Sequence, residues 1–375
     1  VIARYYGARQ TENLQKAIHT TVGFGLISGV LLTILGLLLV PKILILMKTP
    51  ADVLPNSICY FRVYFLGSVA FVLYNNFVGI MQSVGDSKHP LYYLILSSAV
   101  NVVLDLVFVA GFKWGVTGAA VATVLAQGLS VALCIVRMCR AQDATRLHVS
   151  KLRLHPEIMQ RVIQQGLPTG MQNCVVSIGN MVIQANINSF GSYAISGHGA
   201  HAKLEGLVFL PIMSISMALP TFVSQNLGAG NAERARRGSV IGVAAGCVLA
   251  ELIGVVMMLL APQGIGIFLD APEAIRIGAI HTRTVALFFC ALAFSHCASG
   301  VLRGCGKAFV PMIAMLVCWC GIRIVYVTLA LIVRPEYSTI AWAYPITWTL
   351  STILFVIYIK RIDWQQLATE AGVRR

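Results

Sequence analysis

The run Ala17-Ile-His-Thr-Thr-Val-Gly-Phe-Gly-Leu-Ile-Ser-Gly-Val-Leu-Leu-Thr-Ile-Leu-Gly-Leu-Leu-Leu-Val40 carries no Asp, Glu, Lys or Arg in 24 residues. Coiled as an α-helix at 1.5 Å per residue it spans about 36 Å, enough to cross a hydrocarbon core of about 30 Å. Composition decides between a membrane helix and the core helix of a soluble domain. The 375 residues are 57% apolar and only 11% charged, against roughly 25% charged in soluble domains. With a mean hydropathy of +0.79, there is too little charge to coat a water-facing surface. Disorder is excluded for the opposite reason, since disordered chains are poor in apolar residues.

Working outward from that run, apolar stretches bounded by Pro, Gly and charge predict ten spans. They lie at about 17–40, 56–81, 88–110, 114–137, 160–188, 200–225, 236–260, 276–302, 308–333 and 338–359. The runs are continuously apolar and do not alternate over about ten residues, which favours helices over a barrel. The chain therefore reads as an all-α polytopic membrane protein whose bilayer is an obligate partner.

Twenty-eight basic against fourteen acidic residues give +14. A nucleic-acid partner would need those charges in a patch; here they fall in short runs between spans. Sorted by alternate loops, nineteen basic residues lie on one side and five on the other, with Arg62, Lys203, Arg283 and Arg323 inside spans. That asymmetry predicts cytoplasmic ends for this chain and a plasma-membrane location. The three intramembrane arginines are expected to bond carbonyls or to snorkel.

The sequence also repeats at an offset of 221 residues. Gly7-Ala8 matches Gly228-Ala229, Glu12 matches Glu233, Arg62 matches Arg283, Gly85 matches Gly306, and Pro90 matches Pro311. An even number of crossings separates the copies, so the halves are expected to lie the same way up, as two pseudo-symmetric helical bundles. The expected organisation is an N-terminal bundle at 1–137, a basic cytoplasmic connector at 138–159, a six-helix bundle at 160–359 and a tail at 360–375. Four spans in the first half against six in the second predict two further helices before Val1, twelve in the whole protein.

Three polar groups stand out within the spans. Asn101 and Asp105 are four residues apart, so they project from one helical face. Thr123 on the returning span lies at comparable depth. A carboxylate, an amide carbonyl and a hydroxyl suit a hard cation or a transferable proton; the other reading is a buried Asp satisfied by interhelix hydrogen bonds. Asn173, Ser177, Asn180, Gln184 and Asn188 step by 4, 3, 4 and 4 along one arc of about 80°. That stripe either glues helices together or lines a wet cavity, and its length favours the lining. His198, His201 and Glu205 follow, with Lys203 between them. No further zinc ligand is in view, so Glu205 reads as a polar lining or proton-handling group, or as a partner of Lys203 or another helix. Glu251 reads similarly. Pro211 and Pro345 permit kinks. The ten cysteines include no CxxC pair and read as packing residues. No nucleotide-binding, hydrolase or kinase signature is present.

These residues resemble the multidrug and toxic compound extrusion (MATE) family of secondary transporters along essentially the whole chain. The resemblance rests on Ala3-Arg-Tyr-Tyr-Gly-Ala8 and Ser224-Gln-Asn-Leu-Gly-Ala229, on Gly79-Ile-Met-Gln-Ser-Val-Gly85 and Gly300-Val-Leu-Arg-Gly-Cys-Gly306, and on Asn101-Val-Val-Leu-Asp105. It implies two six-helix bundles around a V-shaped cavity that opens alternately to each side. It implies export of small organic, often cationic, compounds driven by Na⁺ or H⁺, with no cofactor, no resident metal, no enzymatic activity and a monomeric state. Family members with a cation site in the N-terminal bundle use an Asn and an Asp four apart, a Thr on the next helix and an Asp on the first. Asn101, Asp105 and Thr123 match three of these; the first-helix Asp would precede Val1. Other branches place an acidic residue in the seventh helix. None occurs in 160–188, which leaves Glu205 as the substitute. The competing readings are a flippase or exporter of a lipid-linked or polar precursor on the same plan, and an integral-membrane enzyme.

Overall fold

Apolar runs become helices because hydrocarbon offers backbone amides no water, and only intrahelical hydrogen bonds satisfy them. The computed structural model describes residues 1–47 and 49–373; Lys48, Arg374 and Arg375, three of the loop charges counted above, lie outside the described residues. The first unit, Val1–Val162, contains α1 (Ile2–Gly7), α2 (Thr11–Leu46), α3 (Leu54–Leu66), α4 (Ser68–Ser83), α5 (Lys88–Asp105), a π-helical stretch Leu106–Gly111, and α6 (Gly115–Cys139). Helix α7 (Pro156–Asn188) leads into the second unit, Ile163–Arg375. There follow α8 (Ser192–Gly228), α9 (Ala232–Leu259), α10 (Ala261–Gly266), α11 (Pro272–Ala286) and α12 (Phe289–Gly304). The unit continues with α13 (Phe309–Met315), a second π-helical stretch Leu316–Ile322, α14 (Arg323–Val333), α15 (Tyr337–Lys360) and α16 (Trp364–Val373).

Seven of these helical segments are long and apolar enough to cross a membrane, and two bent pairs, α3 with α4 and α11 with α12, bring the number to nine among the described residues. Helix α7, predicted as a span, has the length at 33 residues. Its row of amides and hydroxyls takes it out of the strongly apolar class. Apolar side chains stand outward along the spans, as at Leu38 (64% exposed) and Ile332 (77%). That surface suits lipid, and the protein is a multi-pass membrane protein.

The 221-residue repeat extends to backbone detail. Chain reversals at Arg9 and Gly230 have φ of +54° and +76°, and those at Gly85 and Gly306 have +92° and +85°. In each, a backbone N–H reaches back to close the preceding helix: Gln10 to Tyr5 O (3.1 Å), Asn231 to Asn226 O (2.9 Å), Asp86 to Met81 O (2.9 Å) and Lys307 to Leu302 O (2.9 Å). These are helix C-terminal caps that satisfy carbonyls the helix itself cannot.

The two bent spans break at equivalent places as well, by 47° at Gly67 and by 57° at Leu287–Phe288. Neither break contains a proline, whereas α8 remains one helix through Pro211 and Pro220, and α15 through Pro345. The two sharp breaks are thus made without proline. At the first break, Gly67 allows α6 to approach, since a Cβ there would sit 2.6 Å from Val124 Cγ2. At the second, Glu251 of α9 accepts a hydrogen bond from the Cys290 N–H (3.0 Å), one of the amides the break leaves without a helical acceptor. Glu251 is therefore a cap across helices rather than a cavity group.

The segment between α6 and α7 folds back on α2. His19 Nδ1 donates to Gln15 O (2.7 Å), which leaves Nε2 to accept the His148 N–H (3.1 Å), and Thr20 Oγ1 accepts the His155 N–H (3.2 Å). Between α4 and α5, Asp86 receives the ring and backbone N–H of His89 and faces Arg137 at 3.8 Å.

Two expectations follow from this frame. Glu251→Leu orphans the Cys290 amide and lowers stability by about 1–3 kcal/mol, read as a lower thermal unfolding midpoint, while Glu251→Gln keeps an acceptor and stays near wild type. At Asp86, burial alone would push the carboxyl up, but the hydrogen bonds and positive charge from His89, with Arg137, outweigh it and hold the carboxyl below its ordinary range. A depressed carboxylate stabilises the fold at pH values above its unfolded pKa of about 3.9 and loses that contribution as pH falls through the lower folded value. Asp86→Asn should accordingly flatten the acid limb of a stability–pH profile.

Candidate functional site

In the first unit, α5 positions Asn101 and Asp105 one turn apart. Their neighbours Val102 and Val103 are 59% and 58% exposed, whereas Asn101 and Asp105 are half-buried. The Asn–Asp face is thus turned toward the bundle. Asn101 Nδ2 and Asp105 Oδ1 are both buried, and neither has a hydrogen-bond partner among the described residues. Buried polar atoms without partners are uncommon and costly in folded proteins. Asp105 is also the last α-helical residue before the π-helical stretch, where Phe112 N–H bonds Val107 O (2.8 Å) in the wider i→i+5 pattern. Such turns often mark functional positions in helices.

Thr123 lies on α6, which packs beside α5. Its hydroxyl hydrogen is spent on Ala119 O (2.9 Å), so its oxygen lone pairs are what remains to offer. No hydrogen bond joins Thr123 to Asn101 or Asp105 among the described residues. The approach of α6 to the π-helical stretch depends on Gly118, where a Cβ would meet Phe108 Cβ and Trp114 Cβ at 3.1 Å.

The second unit carries the polar stripe on α7. Gln172, Gly179, Ile183 and Ile187 form its buried side, and Asn173, Ser177, Asn180 and Asn188 are exposed within the unit, with Gln184 half-buried. Interhelix glue is therefore not the stripe's role inside this unit. Ser177 bonds back to Asn173 O (3.0 Å), and Gln184 Nε2 donates to Asn188 Oδ1 (2.9 Å).

Asn180 is the exception, since its Oδ1 accepts from Arg323 Nη1 (3.3 Å). Arg323 does not snorkel, and the one carbonyl it bonds among the described residues is the Asn180 side-chain amide. Arg323 is 1% exposed, bonds Thr347 Oγ1 through Nε (3.1 Å) and Nη2 (2.8 Å), and lies 4.7 Å from the Tyr344 ring centroid and 5.4 Å from that of Trp319. A guanidinium is held here by hydroxyl, amide and π faces. Close packing of α7 on the π-helical stretch Leu316–Ile322 sets this geometry: a Cβ on Gly179 would stand 2.7 Å from Trp319 O.

Glu205 of α8 lies 3.9 Å from His201 Nε2, not beside Lys203, whose Nζ is over the Phe268 ring at 5.1 Å. His281 from α11 joins His198 and His201. No local spacing points to this third imidazole, which arrives from a different helix eighty residues on. The cysteines have free thiols, and Cys134, Cys297, Cys305 and Cys318 are buried.

Two bundles with matching breaks and caps, each with polar groups held inside hydrocarbon-spanning helices, define a polytopic transporter-like architecture. The sequence matches the family described as MatE over residues 1–107 and 168–329, and the chain belongs to that family. It is 26% identical over 297 residues to the probable multidrug resistance protein YpnP of Bacillus subtilis (strain 168), an alignment covering 77% of this chain and 64% of that protein. It is 24% identical over 376 residues to the probable multidrug resistance protein YoeA of the same organism, covering 98% and 81%. Among solved structures, a MATE in the bent conformation superposes with a TM-score of 0.92 at 20% identity, over 99% of this chain and 83% of that one. At that identity the likeness speaks for the fold alone.

Gly179→Val should drive α7 off Trp319 O and cost about 1–3 kcal/mol, as overpacked sites do. A lowered thermal midpoint with weakened Trp319 fluorescence protection from quencher would register it.

Proposed function

We propose that the protein is a secondary antiporter of the plasma membrane that exports organic, often cationic, compounds in exchange for Na⁺ or H⁺. The observation that carries this reading is the pair of buried, unpartnered polar atoms on one face of α5, Asp105 Oδ1 and Asn101 Nδ2, in a chain of the MatE family. The relatives named as multidrug resistance proteins support the substrate class; the chain takes in 64% of the length of the first of them, so the activity is proposed here and not carried over.

In this reading Asp105 takes up the coupling ion, with Asn101 and Thr123 supplying further oxygens. Loading the carboxylate changes the electrostatics at the junction of α5 with its π-helical stretch, a junction where helical hydrogen bonding already changes register. Only an ion that binds two conformations unequally can shift their balance, and drug binding must shift it the opposite way. The α7 stripe of Asn173, Ser177, Asn180, Gln184 and Asn188, with Glu205, would line the substrate path. Its amides and hydroxyls offer hydrogen bonds without fixing one ligand shape, as a broad specificity needs. The protein works as a monomer with both ends of this chain in the cytoplasm.

One observation favours the second reading, a flippase or exporter of a lipid-linked or polar precursor. Arg323 presents a positive group at the stripe through Asn180, which would suit an anionic cargo.

Efflux from cells lacking their own pumps separates the cases. In the full-length protein, Asp105→Asn should abolish gradient-driven efflux of a cationic dye, by at least about a hundredfold in rate given the several kcal/mol an intramembrane charge involves, with membrane levels unchanged. Undiminished efflux would remove Asp105 from the coupling role. Transport of an anionic dye in place of the cationic one would favour the second reading, and imposing Na⁺ and pH gradients separately identifies the ion.

A further inference from the structure

His201 and His281 are each 1% exposed, and their ring centroids are 4.3 Å apart, with His198 at 6.1 and 5.0 Å from them. Three imidazoles gathered inside a membrane bundle invite a metal, but among the described residues no group of three His, Cys, Asp or Glu side chains has metal-holding geometry. The hydrogen bonds point elsewhere. Thr282 Oγ1 donates its single hydrogen to Gly278 O (2.9 Å), so toward His201 Nδ1 at 3.0 Å it can only accept. The network thereby assigns the His201 hydrogen to Nδ1 and leaves Nε2 as the nitrogen open to a further proton. That Nε2 faces Glu205 Oε2 at 3.9 Å.

A bare imidazole lone pair and an ionised carboxylate repel one another across that gap. One proton placed on Glu205 Oε2 converts the contact into a hydrogen bond donated to His201 Nε2. We propose that the second unit holds one exchangeable proton between His201 Nε2 and Glu205 Oε2, at a site separate from the Asp105 face. The proton comes from water and returns to it, and no electrons move. The Glu205 side chain keeps 27% of its surface accessible, against 2% for His201.

The surroundings limit the site to a single proton. From α11, His281 points Nδ1 at Tyr337 OH of α15 (3.0 Å); charging it would set two imidazolium rings 4.3 Å apart. His198, on the same helix as His201, has a buried Nδ1 with no partner among the described residues and no anion to balance a charge. From α14, Arg323 interacts electrostatically with Glu205, and Tyr344 of α15 lies against both Arg323 and His281. On α9, Glu251 is engaged by the Cys290 amide, and on α12, His296 packs between Phe209 and Trp319. Lys203 turns away to Phe268. Arg323 acts on Glu205 through its field alone, with no ion pair between them among the described residues. Protonation changes the field at Arg323, which is bonded to Asn180 of the α7 stripe. Its consequence for transport rests on the exporter reading above, while the binding itself does not.

Infrared difference spectra of the full-length protein in lipid nanodiscs, taken between acid and alkaline pH, test the binding without transport. A carboxylic-acid C=O band should be lost in Glu205→Gln and kept in Asp105→Asn. His201→Gln should move the pH at which that band vanishes by about one unit or more, the size of shift a close charge partner produces. Should Glu205→Gln fail to insert, Glu205→Asp should change the band's frequency. A band untouched by either Glu205 variant, or a midpoint unmoved in His201→Gln, overturns the proposal. An Asp105→Asn protein that exports normally but keeps the Glu205 band overturns the coupling role of Asp105 and leaves this site standing.

Discussion

Inside hydrocarbon no water is available to complete a hydrogen bond, and every polar group must find its partner in the protein. That requirement makes the spans helical, and it is most exposed where a helix stops or breaks. The chain meets it in the same way twice, 221 residues apart. Arg9 and Gly230, and then Gly85 and Gly306, turn the chain with positive φ so that a following amide closes the helix end. At the two bends the solutions differ. Gly67 brings α6 into contact with α3, while the second half recruits Glu251 to the Cys290 amide. An acidic residue in a span thus has a structural use in one case, and its position near a break rather than near other polar side chains is what identifies it.

The repeat keeps its turns and bends but neither its charges nor the place of its π-helical stretch. The span of α5 corresponds to that of α13 and α14, yet at the 221-residue offset Leu106–Gly111 falls on 327–332 and not on Leu316–Ile322, and the first span carries the carboxylate Asp105 while the second carries the guanidinium Arg323. Each charge borders the stretch where hydrogen bonding widens from i→i+4 to i→i+5. Such a stretch lets a helix change register over one turn, and a charge beside it gives an ion or a proton purchase on that change. The two sites differ in how far their charge is satisfied. Arg323 has two hydrogen bonds to Thr347, one to Asn180 and two aromatic faces. Asp105 retains an unpartnered oxygen.

The sequence made the helical class, the repeat and the candidate carboxylate legible because each is written in local pattern: apolar run length, a fixed offset, an i,i+4 pair. The polar stripe of α7 was legible for the same reason, as one face of one helix. The rest required tertiary contact. His281 stands eighty residues from His201, and no spacing rule connects them. The environment of Arg323 is built from α7, α15 and an aromatic pair, so a lone arginine in an apolar run read as a snorkelling side chain. The sharp breaks at Gly67 and Leu287–Phe288 carry no proline, and there a missing side chain or a borrowed cap accommodates the break.

A fixed buried charge makes the state of one group matter at another. Arg323 cannot lose its proton and cannot leave its bed without breaking its bonds to Thr347 and Asn180 and its contacts with two aromatic rings. Whatever happens at Glu205 therefore alters the field at Arg323 while the guanidinium stays charged. The response has to appear in the groups that can move, and Asn180, exposed on the stripe and joined by a single 3.3 Å bond, is the softest of them. A link between the carboxylate of Glu205 and the polar face of α7 needs no long pathway of side chains. It needs one immobile cation with a titratable group on one side and a polar helix face on the other, which is the arrangement the second unit contains.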